Sequence, residues 1–371
     1  MQFLDKIYRQ AKLVKKRILL PEGEDVRVLR AVDAILKEGL CYPGLLGDSK
    51  RIAKIAKGVG IGLKGVEIID SSSYGKLDEY AALFCEIRKH KKMEPTRALA
   101  RGSCGRNTER PEHIRGLKTT VLGRECIKPD DARKLIVENP SFYSALAVRS
   151  GDFDGFVAGA STTTRDVAKA AIYCIGPADD MPTISSSSIV ILPDKSLGSN
   201  GVFIFADTGI IPDPTAEQLR DIAISATKMA RLLLDDEPRV AMLSYSTKGS
   251  GGIGKSMQKV ERATELVIQK YPELLIDGEV QLDCAIVPEV SKRKDPASRI
   301  RGRANVFIFP NLDAGNISYK LAERLAKARA IGPILQGLKN PASDLSRGCG
   351  VQDIVDAVSV VALIAAERVR V

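Results

Sequence analysis

The sequence predicts an α/β protein of two domains. The 371 residues exceed one ordinary domain. Short β-rich runs alternate with amphipathic helical stretches, the pattern of a parallel sheet covered on both faces. A middle block interrupts a first block to which the C-terminal helix returns. The expected division is 1–181 with 336–371 against 182–335, each part large enough for its own core.

Composition narrows the class. A hydrophobic content of 44% is ordinary for a soluble enzyme. No apolar run approaches the ~20 residues that span a bilayer. The first residues form an amphipathic stretch without the features of a signal peptide, so a cytoplasmic location is expected. Seven cysteines at irregular spacing, with no CxxC pair, suggest neither a disulfide framework nor a zinc site. His90 and His113 are too few for a His-rich metal centre. A net charge of +10 fits anionic partners. Aromatics are only 5%, Trp is absent and no nucleic-acid motif appears, which argues against nucleic acid.

The elements follow in order. A strand at 17–20 leads through PEGED into a helix whose Val26, Leu29, Val32, Ile35 and Leu36 share one face. Strands at 42–46 and 66–69 are each followed by a helix. The helix from about Leu77 ends in EIRKHKK, whose basic residues suit a helix C-terminus. Residues 93–125 carry six Arg and one Lys against four Glu and little periodicity. They read as an exposed insertion, a solvated loop. A helix resumes at Pro129 with acidic residues in its first turn.

Residues 151–176 read strand, polar loop, helix. Gly159 permits close backbone approach, and Ser161, Thr162, Thr163 and Thr164 offer four hydroxyls. Free amides at that helix start would face an anion; the competing role is ordinary capping. The runs 188–192 and 202–205 read as neighbouring strands, with antiparallel pairing an option. Asp213 as cap and Pro214 at the first position start a long helix. A strand at 240–243 enters SYSTKGSGGIGK, which has the glycines, hydroxyls and lysines of a phosphate cradle without P-loop spacing. A strand at 304–309 and a polar loop at 311–316 precede a helix with Tyr319, Leu321, Leu325 and Ala328 on one face.

The last stretch carries the most chemistry. A buried strand at 332–337 and a helix from about Gln352 put Ser343, Asp344, Ser346, Arg347 and Asp353 on a strand-to-helix loop. Ligands of open α/β sheets bind where strands end and helices begin. A guanidinium forks onto phosphate, and a carboxylate accepts a proton. Asp353 is either such a base or only a favourable first-turn residue. Cys349 reads as a small buried residue, since no activating histidine lies near it.

The segments PEGEDVRVLRA, IRKHKK, DGFVAGASTTTRDV, ADTGIIPDPTAEQL, MLSYSTKGSG, ANVFIFPNLDAGNISYK and GPILQGL–NPASDLSRG closely resemble phosphotransacetylases of the phosphate acetyl/butyryltransferase family. The likeness spans the chain except about 93–125. It implies an isocitrate/isopropylmalate-dehydrogenase-like fold with the site in the interdomain cleft, and a homodimer. It implies reversible acetyl transfer between acetyl phosphate and coenzyme A by direct thiolate attack in a ternary complex. Propionyl or butyryl transfer is the alternative. No metal and no cofactor beyond coenzyme A as substrate is implied. Residue by residue, the family's catalytic serine, arginine and aspartate fall on Ser346, Arg347 and Asp353. Its RKHK arginine falls on Arg88. The arginine after its Thr-Thr loop aligns with Lys169, which keeps the charge but loses the fork; Arg165 is the alternative. The NISYK segment adds Asn316, Tyr319 and Lys320 as substrate contacts.

Overall fold

A computed structural model describes residues 2–70, 75–89 and 127–367. The basic segment 93–125, with His90, His113, Cys104 and Cys126, lies outside the described residues. The first block runs α1 (Gln2–Val14), β1 (Arg17–Leu20), α2 (Val26–Glu38), β2 (Tyr42–Gly47), α3 (Ser49–Gly58), β3 (Glu67–Asp70) and α4 (Leu77–Lys89). It continues with α5 (Pro129–Glu138), α6 (Pro140–Arg149), β4 (Gly155–Ala158) and α7 (Thr164–Ala170), which runs on as a π-turn at Ala171–Ile175. The middle block holds β5 (Ser185–Ile191), β6 (Val202–Ala206), α8 (Ala216–Leu233), β7 (Arg239–Leu243), α9 (Lys255–Lys270) and β8 (Leu275–Val280). After it come α10 (Leu282–Ile286), α11 (Pro288–Lys294), β9 (Val306–Ile308), α12 (Leu312–Leu325), β10 (Arg329–Gln336), β11 (Ala342–Asp344) and α13 (Val351–Glu367).

The strands form one 11-stranded sheet in the order β3-β2-β1-β4-β11-β10-β5-β6-β9-β7-β8. Its two flanks are parallel, as the strand–helix alternation predicts. The centre departs from that reading: β11–β10 and β10–β5 pair antiparallel, as does β5–β6, where the sequence leaves that option open. The reason lies in the connections. The turns joining β5 to β6 and β10 to β11 are too short for a crossover, so the chain must double back.

Alternation along the strands sorts the core onto two faces. Leu19 packs with Phe156, Ile204, Val240 and Ile276 in a cluster that spans both flanks. Ile18 and Leu20 point the other way, onto Val28, Val157, Ile354 and Val358. On that side of the far flank, Phe203, Phe205, Phe307 and Phe309 stack with centroids 5.0 to 5.3 Å apart. The C-terminal helix α13 therefore packs on the first block. Its buried Asp356 receives the Tyr8 hydroxyl from α1 and pairs with Arg329 from β10.

Two local expectations are corrected. Ser343 and Asp344 are not in a loop but in β11, wedged between β4 and β10. Three residues reading ASD carry no strand signature, so pairing on both sides decides their conformation. Asp213 does not cap α8. Thr215 does, in a reciprocal capping box with Gln218, while Asp213 pairs with Lys259 at 2.5 Å.

Candidate active site

The loop after β4 folds around a carboxylate from the loop after β1. Gly159 has φ +110°, and a Cβ there would lie 2.5–2.6 Å from Leu345 and Asp344 atoms, so only glycine fits. The Gly159 and Ala160 amides donate to Glu22 Oε2 at 3.1 and 2.8 Å. The Ser161 and Thr162 amides donate to Oε1 at 2.8 and 2.7 Å, and the Ser161 hydroxyl adds a bond of 3.1 Å. Glu22 is only 9% exposed. These amides were expected to face an external anion; the chain's own glutamate occupies them. Thr163 caps α7 and donates to Asp166 Oδ2 at 2.7 Å.

Arg27 ties this loop to the one after β11. Its Nη2 donates to the Ala160 carbonyl at 2.6 Å, and its Nη1 to the Arg347 and Cys349 carbonyls at 2.8 and 3.1 Å. Asp25 holds the guanidinium in turn at 2.7 Å and caps α2. The Arg27 hydrogen bond keeps the Asp25 carboxyl below its ordinary range. Glu22, Asp25 and Arg27 thus assemble the region, and sequence reasoning passed over them as a strand-to-helix junction. The available signal was a cluster of charge at the C-terminal end of a strand parallel to β4.

Ser346 and Arg347 are exposed on the loop so held. The Ser346 hydroxyl accepts the Gly348 amide at 3.3 Å. Asp353, in the first turn of α13, accepts the Gly350 amide on Oδ2 at 2.8 Å. Among the described residues its Oδ1 takes no hydrogen bond. The aspartate therefore makes a capping contact and keeps one oxygen available. Cys349 is buried, and burial pushes its thiol up to about 11, consistent with a structural residue. Asp344 lies beneath Gly159, 1% exposed, with no hydrogen-bond partner for Oδ1. Burial pushes its pKa up to about 7, the Glu22 charge adds to that, and the Thr164 hydroxyl opposes it.

The remaining candidates fall into two groups. Arg88 stacks over Tyr173, in the π-turn that continues α7, with its carbon 5.1 Å from the ring centroid; burial lowers its pKa. Lys169 lies on α7 with Arg165; burial first and Arg165 second depress its ammonium. Asn316, Tyr319 and Lys320 lie on α12. Asn316 donates to the Thr208 carbonyl at 3.0 Å, and Lys320 covers the ring of buried Tyr319. The strands β6 and β9 run opposite to β4 and β11, so these three leave the sheet from the other strand ends. One chain does not join them to the Glu22–Arg27 assembly. The loop after β7 is not an open phosphate cradle either. Glu279 Oε1 accepts the Ser246 hydroxyl at 2.9 Å and the Gly249 amide at 2.8 Å, and Lys248 pairs with Asp277 at 2.6 Å.

Comparison with known proteins agrees with this architecture. A 4-hydroxythreonine-4-phosphate dehydrogenase-type structure from Salmonella typhimurium, 10% identical over 94% of this chain and 99% of that one, superposes with a TM-score of 0.50 and shows the fold alone. A phosphotransacetylase from Streptococcus pyogenes superposes with a TM-score of 0.83 at 33% identity, covering 99% of this chain and 98% of that one. The phosphate acetyltransferase of Acetivibrio thermocellus is 41% identical over 363 residues, 98% of each chain. The sequence model of the phosphate acetyl/butaryl transferase family matches residues 2–102 and 109–363. That match includes 93–102 and 109–125, so the likeness reaches further into the basic segment than the motifs did. With two-domain dehydrogenase-like architecture and a match along nearly its whole length, the chain belongs to the phosphate acetyl/butaryl transferase family.

Proposed function

We propose that the protein is a phosphate acetyltransferase, moving an acetyl group reversibly between acetyl phosphate and coenzyme A. The observation that carries the reading is the Arg27 bridge. It holds the loop bearing exposed Ser346 and Arg347 beside the Glu22-gripped loop, at the C-terminal ends of two paired parallel strands. Family relatives named phosphate acetyltransferase cover the whole chain.

In the proposed reaction Asp353, through its unbonded oxygen, takes the proton of the coenzyme A thiol. A thiol is a weaker acid than a carboxylic acid, so it gives up this proton uphill, and a closed, desolvated cleft narrows the difference. The thiolate attacks the acetyl carbon, and Ser346 donates to the carbonyl oxygen as it gains charge. The carbonyl then reforms as the bond between the acetyl carbon and the bridging oxygen breaks, and phosphate leaves with that oxygen and the electron pair. Arg347 and Arg88 carry the phosphate charge, with Lys169 or Arg165 as the third cation. Because Glu22 holds their amides, Ser161 and Thr162 would contribute side chains only, beside Thr163 and Thr164. The scheme needs no metal and no cofactor besides coenzyme A.

The same reading includes a division at 1–181 with 336–371 and 182–335, supported by strand order, and substrate bound in the cleft between the two parts. It includes a cytoplasmic location; no described helix is long and apolar enough to cross a membrane. It includes a homodimer, supported by exposed Ile317, Leu321 and Leu325 at one-turn intervals on α12. Under that arrangement Asn316, Tyr319 and Lys320 lie next to the interface. A coupled assay with acetyl, propionyl and butyryl phosphate plus coenzyme A tests the function. Acetyl or propionyl phosphate is expected to give the highest kcat/KM. A butyryl optimum would make it a butyryltransferase, and no turnover with any would refute acyl transfer.

A further inference from the structure

A second basic site lies at the β7–β8 edge of the sheet, five strands along from β11. The starts of β7 and β8, α11 and the 295–303 segment enclose a concavity of about 890 Å³. Arg239, Lys292, Arg299, Arg301 and Arg303 line it. Among the described residues none of these five side chains is in an ion pair. The one carboxylate in the lining, Asp295, is buried and lies 3.8 Å from Lys248, outside the five cations. The wall is held in place from several sides. The Arg299 amide donates to Asp277 Oδ2 at 3.1 Å, and its Nη2 to the Pro272 carbonyl at 2.6 Å. The Arg301 amide donates to the Ser298 hydroxyl at 3.1 Å, and the Arg239 side chain to the Arg303 carbonyl. Gly302, at φ +67°, presses on α11 so closely that a Cβ would sit 2.6 Å from the Pro288 nitrogen. Two guanidinium groups and the Arg-Gly-Arg turn are therefore pre-positioned.

We propose that this concavity binds a small anion bearing a chain of phosphates, such as a nucleoside diphosphate, at a site separate from the acyl-transfer site. Like charges gathered without counter-ions repel, and a multivalent anion relieves all of them at once. The volume lies within the range of small-molecule sites and far exceeds what one phosphate fills. Pro288, Pro296 and Ala297 place apolar surface among the cations, as a compact ligand with a non-phosphate portion requires. Among the described residues the lining holds no aromatic side chain on which successive bases would stack, which favours such a ligand over a nucleic-acid strand.

Calorimetric titration of the full chain at low salt with diphosphate, ADP and adenosine tests this. Saturable binding of diphosphate and ADP, none of adenosine, and weakening with added salt are expected. The triple variant Lys292→Gln, Arg301→Gln, Arg303→Gln should weaken both at least tenfold while changing the KM for coenzyme A less than twofold. These side chains are solvent-facing, so the fold should persist; Arg347→Gln, at the other site, should retain the binding. ADP binding more tightly than diphosphate assigns a nucleotide, and equal affinities assign the phosphate chain; either supports the site. Absence of saturable binding, binding unchanged in the triple variant, or an equal rise in the KM for coenzyme A overturns it. So does tighter binding of a single-stranded oligonucleotide, which would assign the face to nucleic acid.

Discussion

The loops after β4 and β7 are built alike and end differently. Each receives a glutamate from the neighbouring parallel strand or its exit: Glu22 beyond β1, Glu279 at the end of β8. Glu22 takes five hydrogen bonds, on both oxygens, from four consecutive residues. Glu279 takes two, on one oxygen, and Ile253 further along the β7 loop is 90% exposed. The first loop is a fixed wall braced by Arg27; the second is pinned at one end only. A chemical step that needs groups held within fractions of an ångström belongs on the first kind of loop.

Four measurements would break or sharpen that contrast. The largest effect is expected for Asp353→Asn. Asn can still cap the helix but cannot take a proton, so kcat should fall by about 10²–10⁴ with circular dichroism unchanged. Near-normal turnover would leave Asp353 with its Gly350 contact alone. Next, Glu22→Gln turns an amide NH₂ toward backbone donors. It should cost about 2–3 kcal/mol in urea unfolding and lower kcat more than tenfold. Glu279→Gln should cost about 1–2 kcal/mol and lower kcat less than threefold. An equal loss of kcat in both glutamate variants would erase the distinction between the loops.

The third measurement is pH-dependent. Asp344 has a folded pKa pushed up to about 7 from an ordinary 3.8. The folded state therefore binds the proton more tightly than the unfolded one. Its contribution to stability is full below about pH 4 and is lost as pH rises through about 7. Asp344→Asn removes the titration, so the Tm of the wild type should fall relative to the variant between pH 5 and pH 8. A pH-independent Tm difference would mean that Asp344 does not titrate in the folded state over that range. The smallest effect is expected for Ile253→Ser: stability within about 0.5 kcal/mol, and kcat unchanged.

How much of this could be read from residues alone follows from sequence distance. The unit β4–Gly159–α7 was legible, because apolar strand, glycine and Thr cap lie consecutively. Ser346, Arg347 and Asp353 were legible as a cluster for the same reason. Glu22 was not: its partners lie 137–140 residues away, and a lone acid after a strand carries no mark of them. The hydroxyl-rich loop looked ready for a phosphate because a sequence cannot show that its amides are already occupied. Likewise β11 stayed hidden, since Ala342–Asp344 is a strand only by virtue of its neighbours on both sides.

The unbroken run of eleven hydrogen-bonded strands, with one apolar cluster reaching across both flanks, bears on how the molecule melts. Losing either flank would strip the central strands of partners and expose shared packing, so the two halves are expected to melt together. Calorimetry should then give a single endotherm whose van't Hoff and calorimetric enthalpies agree per cooperative unit.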